Sequence, residues 1–287
     1  MYDYPGSQAS TLPSAYNPRV ALNQEEKGEA FRGLHTGPAF VIPNPWDAGS
    51  ARVLAGLGFN ALATTSSGFA FTLGRPDGTV SLDEIAAHVL SLSEATDLPV
   101  SVDLENGYGP APEDAARAVG RVAEAGAVGG SIEDYDRDED ELYEIERAAE
   151  RIAAAAEAAE ALDFPFTLTA RAENHLRGRP EIEETIARLQ AYEGAGADVL
   201  YAPGLVTAEE IKTVCDAVST PVNVLAFSRL NLTFDEIAEA GAQRLSVGGG
   251  LAWSAVNGAI EAAERIIDDG DFSGLGTPGR VKEWLGP

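Results

Sequence analysis

The apolar positions of the chain fall into eight short runs, each four to six residues long. Runs of this length are typical of strands that are buried on both faces of a parallel sheet. The pattern therefore predicts eight buried strands. They are Ala39–Pro43, Ala61–Ser66, Val100–Glu105, Gly130–Asp134, Phe166–Arg171, Val199–Ala202, Val222–Ala226 and Leu245–Gly248.

Segments with helical periodicity separate these runs. Asp47 and Ser81 occupy predicted N-cap positions, and Ser81 begins the capping-box sequence S-L-D-E. Four segments end at a glycine suited to the left-handed C-cap, namely Gly58, Gly126, Gly196 and Gly241. The predicted helices are Ala48–Gly56, Leu82–Ala95, Glu113–Ala125, Glu139–Leu162, Ile182–Glu193, Ala208–Val218, Phe234–Ala240 and Ala252–Asp268.

Eight strands that alternate with helices predict a closed (β/α)8 TIM barrel, and an open doubly wound sheet is the alternative. The length of 287 residues is ordinary for one such barrel. Because no linker or change in composition divides the chain, we expect residues 23–287 to form one barrel domain with a C-terminal helical tail. We expect residues 1–22 to be a flexible N-terminal arm.

The chain carries 46 acidic and 20 basic residues, for a net charge of −26. Such a surface repels nucleic acid and anionic lipid, because both bind proteins through Lys and Arg. A dense carboxylate surface with few lysines is typical of a protein adapted to concentrated salt, which screens the repulsion. With no signal peptide and no apolar stretch of membrane-spanning length, the expected location is the cytoplasm.

Carboxylates follow two neighbouring predicted strands, where barrel enzymes place their reacting groups. Asp103 and Glu105 are two residues apart and are expected to point to the same side of their strand, and Glu133 ends the next strand. Such buried acids need a cation, and oxygen ligands without clustered His or Cys suit Mg²⁺ or Mn²⁺. The alternative is that the carboxylates accept hydrogen bonds from the following helices.

Other polar residues near the strand ends are candidate substrate contacts. Arg171 can bind a substrate carboxylate in bidentate fashion, and Ser66, Ser67 and Gly68 offer donors to an anionic ligand. Asn223 can donate a hydrogen bond to substrate, or can serve only the backbone. Trp46, which follows the first strand, completes the predicted substrate contacts. The loop residue Asp77 is a candidate ligand or an ordinary turn residue.

Five of these motifs, in order on successive strands, resemble the isocitrate lyase and phosphoenolpyruvate mutase superfamily. The similarity runs from about Phe31 to about Phe272, nearly the whole chain. The motifs are Ser66-Ser67-Gly68, Arg75-Pro76-Asp77, Asp103-Leu104-Glu105-Asn106-Gly107-Tyr108-Gly109, Ile132-Glu133-Asp134 and Ala170-Arg171-Ala172-Glu173. Glu105 stands where the family signature has a second aspartate.

The resemblance implies a Mg²⁺ site and a substrate. Asp103 would be the direct ligand, with Asp77, Glu105 and Glu133 holding the waters of the ion. In that family the ion binds the 2-oxo-carboxylate end of the substrate and stabilises an enolate. Arg171 and the loop 66–68 would hold the substrate carboxylate.

The chain departs from the family lyases after the fourth strand. Their K-[KR]-C-G-H loop is replaced by the acidic segment 135–141, which has no cysteine, and the lysine and asparagine of the phosphonate enzymes are also missing. We therefore expect a Mg²⁺-dependent carbon–carbon lyase or decarboxylase that acts on a small 2-oxo or 2-hydroxy carboxylic acid. The alternatives are a phosphoenolpyruvate mutase or phosphonopyruvate hydrolase type of enzyme, and a non-catalytic metal-binding barrel.

The group that transfers the proton must then lie elsewhere. Tyr108, Tyr135, Tyr201 and His175 all follow strand ends, and we take Tyr108 and His175, together with Arg171, as the candidate catalytic residues. A tyrosine beside the metal is expected to titrate closer to neutrality than a free phenol. His175 has the alternative of being an ordinary loop histidine.

The C-terminal tail carries apolar residues that a closed barrel does not need. They are Phe272, Leu275, Trp284 and Leu285, and they follow a helix with alanine and isoleucine at helical spacing. The resemblance implies that this eighth helix is exchanged between subunits in a homotetramer, a dimer of dimers. The alternative is a tail that folds back over the bottom of its own barrel.

Overall fold

The structure, a computed structural model, describes residues 22–285. It contains one sheet of eight parallel strands, together with a short antiparallel hairpin, β5 and β6. The strands are β1 (Phe40–Ile42), β2 (Leu62–Ala63), β3 (Val100–Asp103), β4 (Gly129–Glu133), β5 (Tyr135–Asp136), β6 (Glu141–Leu142), β7 (Thr167–Arg171), β8 (Val199–Tyr201), β9 (Val222–Leu225) and β10 (Arg244–Ser246).

Helices follow the strands in the alternation expected of a (β/α)8 barrel. They are α1 (Gln24–Leu34), α2 (Ala48–Gly56), α3 (Ser66–Thr72), α4 (Leu82–Ala95), α5 (Pro112–Glu124), α6 (Ile145–Glu160), α7 (Ile182–Gly194), α8 (Ala208–Asp216), α9 (Phe234–Glu239), α10 (Gly250–Asp269) and α11 (Val281–Trp284). Within residues 22–285, no helix combines the length and the hydropathy that crossing a bilayer requires.

The sheet runs in the order β1-β10-β9-β8-β7-β4-β3-β2, so β1 and β2 are its two edges. The backbone N–H of Ala63 donates to the carbonyl of Pro43 at 3.0 Å and joins these edges. The sheet is therefore a nearly closed barrel, which confirms the predicted fold class. The predicted N-terminal arm lies almost wholly outside the described residues.

Local signals account for most element boundaries. The side chains of Asp47 and Ser81 cap α2 and α4 as predicted, each accepting from the backbone N–H three residues on. The four glycines predicted as C-caps, Gly58, Gly126, Gly196 and Gly241, all have φ between 96° and 106°. These two signals place the helix ends to within a residue or two.

Two predicted boundaries differ from the structure by more than two residues. The second strand ends at Ala63 rather than Ser66, because Thr65 caps the unpredicted helix α3 by accepting from the N–H of Gly68. Helix α6 begins at Ile145, whereas the predicted helix begins at Glu139, because the acidic segment before α6 forms the hairpin β5–β6. Helices α1 and α11 were also not predicted.

Strand alternation separates an apolar layer from a polar interior. Ile132, Leu168, Leu200 and Val224 belong to the main core, which includes residues of the surrounding helices, and each is at most 1% exposed. Alternate positions of the same strands carry serine, threonine, asparagine and arginine into the barrel interior. The barrel interior is therefore lined by polar side chains that can bind a polar ligand.

Candidate active site

A cavity of about 200 Å³ occupies the barrel interior and the C-terminal ends of the strands. Space of this size suits a small acid better than a nucleotide or a larger cofactor. Its polar lining residues are Asn44, Thr64, Thr65, Ser66, Ser67, Asp77, Ser101, Asp103, Ser131, Arg137, Arg171, Tyr201, Asn223, Arg244 and Ser246. This is the position at which barrel enzymes carry their active sites.

Asp103, the last residue of β3, is held by backbone contacts at the rim of this cavity. Its N–H donates to Thr64 Oγ1 at 2.8 Å, which fixes the end of the strand. Its carboxylate accepts from the N–H of Ser66 at 3.4 Å and from the N–H of Glu105 at 3.2 Å. With 17% of its side chain exposed, Asp103 keeps access to the cavity.

Glu105 and Glu133 lie deeper, with 5% and 2% of their surfaces exposed. One side-chain oxygen of Glu105 and both of Glu133 lack a hydrogen-bond partner among the described residues. Burial, reinforced by Asp103, raises the pKa of Glu105 to about 7, and burial raises the pKa of Glu133 to about 8. These two carboxylates therefore need a cation or a proton.

The turn after β3, rather than strand alternation, places Glu105 in this cluster. The strand ends at Asp103, and Glu105 adopts left-handed backbone with φ of 48°. The N–H of Gly107 then donates to the carbonyl of Leu104 at 2.8 Å and closes the turn. Asp103 and Glu105 belong to one cluster as predicted. The prediction that strand alternation brings them together is wrong, because Glu105 lies in the turn after the strand.

Arg171, at the end of β7, is surrounded by acids. Its terminal nitrogens lie 3.7 Å from Asp103 and 3.3 Å from Glu133, and its Nε contacts Glu173. Only 16% of the side chain is exposed. Arg171 thus reaches the cavity as predicted, but the protein's own carboxylates already share its charge.

Arg137, in the hairpin, is a site residue that the sequence analysis missed. Its Nε lies 3.0 Å from Glu105, and its Nη2 lies 3.7 Å from both Glu133 and Asp77. It therefore contacts three of the four predicted metal ligands, which lie in the loop before α4, in the turn after β3 and at the end of β4. The only signal in the sequence was one basic residue within the acidic segment 135–141.

The carboxylates fit a hydrated Mg²⁺ ion. Across the part of the chain that the structure describes, no three His, Cys, Asp or Glu side chains are arranged to hold one ion directly. Magnesium does not require that, since it keeps several waters and commonly takes one or two protein carboxylates. The oxygens of Glu105 and Glu133 that lack a hydrogen bond are the acceptors that such waters need.

The predicted substrate loop reaches the cavity through Ser66 and Ser67. The N–H of Ser66, however, already donates to Asp103. Gly68 serves packing, because a Cβ there would lie 2.7 Å from Thr65 Cγ2 and 3.1 Å from Trp46 Cβ. Trp46 accordingly packs over the start of α3 instead of lining the cavity.

The two candidate proton-transfer residues lie away from the cavity. Tyr108 lines a separate surface groove beside Ser81 and Arg117, and burial, reinforced by Glu105, raises its pKa. His175 packs against Gly204, and burial lowers its pKa. Tyr201 is the tyrosine that lines the cavity, and burial raises its pKa to about 12.

Asn223, on β9, lines the inner part of the cavity. Its side-chain N–H donates to Ser246 Oγ at 3.0 Å, and its oxygen accepts from Arg244 Nε at 2.9 Å. Arg244 is a second residue that the sequence analysis missed. The available signal was a charged residue, in Q-R-L-S, directly before the predicted eighth strand.

A polar cavity lined by two acids and three arginines thus lies at the C-terminal mouth of a (β/α)8 barrel, where barrel enzymes carry their active sites. The sequence profile of the phosphoenolpyruvate phosphomutase family matches residues 31–267. The chain belongs to this family, and with it to the isocitrate lyase and phosphoenolpyruvate mutase superfamily of lyases and mutases.

Individual relatives agree with this assignment. A crystal structure from Burkholderia cenocepacia J2315, provisionally described as a lyase/mutase, is 52% identical with a TM-score of 0.87, covering 92% of this chain and 97% of that one. The 2-methylisocitrate lyase of Halalkalibacterium halodurans is 31% identical over 73% of this chain and 71% of its own. An oxaloacetate decarboxylase of Bradyrhizobium diazoefficiens is 30% identical over 68% of this chain and 69% of its own.

Proposed function

We propose that the protein is a Mg²⁺-dependent carbon–carbon lyase of the decarboxylase type, acting on a small 2-oxo or 2-hydroxy carboxylic acid. The observation that carries this proposal is the pair of buried carboxylates Glu105 and Glu133 beside Asp103. Their ion pairs with Arg137 and Arg171 leave three of their four oxygens without a hydrogen bond. Buried acids of this kind are stable when a cation neutralises them. A lyase and a decarboxylase among the relatives support the same class of reaction.

Asp103 is the residue we assign as the direct ligand of the ion, because it retains access to the cavity. Glu105, Glu133 and Asp77 would accept hydrogen bonds from the ion's waters. When bound, Mg²⁺ would supply Lewis-acid polarisation of the 2-oxo-carboxylate end of the substrate. Mn²⁺ prefers the same oxygen donors and would substitute.

Arg171 would orient the substrate and also hold the acids in place, since it contacts Asp103 and Glu133 directly. Ser66 and Ser67 present hydroxyl groups at the same end of the cavity, and Asn223 presents an amide from the opposite end. These are neutral donors that can bind carboxylate oxygens without adding charge. They would fix which bond of the substrate lies in the reactive position.

Tyr201 is the proton donor that the geometry favours, in place of Tyr108 and His175. It lines the cavity, and its pKa of about 12 keeps the phenol protonated at neutral pH. Decarboxylation of a 2-oxo acid needs a donor and no base, because the electrons of the broken C–C bond remain on the substrate as an enolate, which takes up a proton. Cleavage of a 2-hydroxy acid would also require a base for its hydroxyl proton, so this role of Tyr201 is assigned for the 2-oxo acids. Tyr201 would supply that proton and regain one from solvent.

The test is a substrate panel assayed with and without Mg²⁺: oxaloacetate, substituted malates, isocitrate, methylisocitrate and phosphonopyruvate. We expect Mg²⁺-dependent turnover of oxaloacetate or a substituted malate, and loss of turnover in Tyr201→Phe with metal affinity unchanged. Cleavage of phosphonopyruvate alone would support the phosphonate alternative. Tight Mg²⁺ binding with no turnover of any compound would support the non-catalytic barrel.

A further inference from the structure

Arg244 lies inside the barrel at the inner end of the cavity, with 5% of its surface exposed. All of its hydrogen-bond partners are neutral. Its Nε donates to Asn223 Oδ1 and its Nη2 to Thr169 Oγ1, both at 2.9 Å, and its Nη1 lies 3.3 Å from His35 Nε2. A buried guanidinium is thus held in a fixed position by groups that do not neutralise it.

The His35 contact leaves the positive charge uncompensated. His35 Nδ1 lies 2.9 Å from the carbonyl of Phe31 and so carries the hydrogen, which makes Nε2 the acceptor for Arg244. Burial, with the nearby Arg244 charge, lowers the pKa of His35 to about 3, so the ring stays neutral. Within residues 22–285, no carboxylate forms an ion pair with Arg244.

Arg244 differs in this respect from the other two arginines of the cavity. Arg171 contacts three carboxylates, and Arg137 also contacts three. An incoming anion would gain little from a guanidinium that is already paired. A buried charge without a partner is costly to the empty protein, and an anion removes that cost.

The surrounding wall has room for such an anion. Arg171, Tyr201, Asn223 and Arg244 are successive register partners across β7, β8, β9 and β10, and all four line the cavity. Barrel interiors are ordinarily filled at such positions by bulky branched side chains. Here Ser101 and other small polar residues leave open space instead.

We propose that Arg244 binds the second carboxylate of the substrate and so selects a 2-oxo or 2-hydroxy dicarboxylic acid over the corresponding monocarboxylic acid. This inference rests on the proposed function, in which the first carboxylate binds at the metal end of the cavity. Asp103 on β3 and Arg244 on β10 line the same cavity of about 200 Å³ from different strands, so a molecule that fills the cavity lies against both residues. The substrate class is thereby narrowed to compounds with two anionic ends.

The experiment compares malate with lactate, which share a 2-hydroxy carboxylate end and differ in the second carboxylate. Both are titrated calorimetrically into the Mg²⁺-loaded wild type, Arg244→Gln and Arg244→Lys. We expect the wild type to bind malate about 10- to 100-fold more tightly than lactate, the gain typical of a hydrogen bond to a charged group. Arg244→Gln should lose that preference and keep its lactate affinity, whereas Arg244→Lys should retain part of the preference.

A purely structural Arg244 would behave differently. Arg244→Met removes the unpaired charge and keeps an extended side chain, so we expect the variant to stay folded by circular dichroism while the malate preference disappears. Equal affinities of the wild type for malate and lactate, or an undiminished preference in Arg244→Gln or Arg244→Met, would overturn the inference. Since binding is measured without turnover, a malate preference in a protein that decarboxylates nothing would refute only the proposed reaction.

Discussion

Arg137 Nε lies 3.0 Å from Glu105 Oε2, so the hairpin after β4 places a cation against a carboxylate that belongs to the end of β3. The same guanidinium reaches Glu133 and Asp77 at 3.7 Å. Three of the four proposed metal-site acids thus share one protein charge. The Arg137 guanidinium and a bound Mg²⁺ ion would therefore neutralise the same carboxylates and compete for them.

Arg137→Gln should bind Mg²⁺ more tightly than the wild type, by about tenfold, because one competing positive charge near the acids is removed. The metal-free variant should also melt at a lower temperature, since Glu105 loses its ion-pair partner and Glu133 loses one of its two. Calorimetry and thermal melting measure the two effects. Arg117→Gln, which removes an exposed pair with Asp114, is the control and should change neither. Weaker Mg²⁺ binding by Arg137→Gln would contradict the competition.

Asp103→Ala should abolish Mg²⁺ binding and activity while the protein stays folded. We expect a loss of affinity greater than about 100-fold, since removing an outer partner alone typically costs 10- to 100-fold. Circular dichroism checks the fold, and calorimetry measures the affinity. Asp83→Asn, on an acid that is 84% exposed on α4, serves as the control. Unchanged Mg²⁺ affinity in Asp103→Ala would remove this residue from the site.

Metal-free protein should lose stability as the pH rises from about 5 to 8. The folded-state pKa values of Glu105 and Glu133, about 7 and about 8, lie above the ordinary value near 4.5, so the folded state holds protons that the unfolded state has released. Their contribution to stability is complete below the unfolded pKa and is lost as the pH passes the folded pKa. Where the folded and unfolded pKa of a carboxyl differ by 1, the free energy of unfolding changes by about 1.4 kcal/mol across the titration.

Thermal melting across this range, with EDTA and with saturating Mg²⁺, measures the effect. Mg²⁺ should raise the melting temperature more at pH 8 than at pH 5.5, because protons compete with the ion for the acids. Glu133→Gln, which cannot ionise, should flatten the metal-free profile. If the melting temperature of the metal-free protein instead rises from pH 5 to pH 8, Glu105 and Glu133 are not the groups that dominate the pH dependence of its stability.

Molar KCl should stabilise the protein if the net charge of −26 is an adaptation to concentrated salt. Salt at 1 M shortens the screening length to about 3 Å and so weakens repulsion between surface carboxylates. The melting temperature should therefore climb from low to molar KCl. A flat or falling temperature would remove this explanation of the composition.

Helix α10 should mediate an assembly of subunits. It is 20 residues long, yet Ala252 is its only buried residue in the described chain, and Trp253, Ile260 and Ile267 are 41%, 48% and 80% exposed. The end of the tail, by contrast, packs on α2 of its own barrel through Trp284. An apolar helix face of this kind ordinarily meets a partner.

Light scattering should accordingly give a tetramer, or at least a dimer, and deletion after Leu251 should give insoluble or unfolded protein. Ile260→Glu should weaken the assembly, because it places a charge in the proposed contact. Glu261→Gln, one residue further along the same helix, is the control and should leave the assembly intact. A well-folded wild-type monomer at micromolar concentration would count against subunit exchange.

The order of strands and helices could be predicted from the sequence because it depends on short-range periodicity and capping. Ser81 and Gly126 act on their own helices, so their meaning does not require a tertiary structure. Once the barrel is inferred, the rule that strand ends meet at one face places Asp103, Glu133 and Arg171 together. That much of the candidate site follows from sequence alone.

Only the tertiary structure decided which charges neutralise one another. Arg137 joins the acids because a hairpin folds back over them, and Arg244 stays unpaired because its strand position points into the barrel and away from them. Tyr108 and His175 follow strand ends yet face elsewhere, since side-chain direction after a strand is set by the turn and not by sequence spacing. Charge pairing depends on distances of a few ångströms between residues far apart in sequence, and local patterns carry no information about those distances.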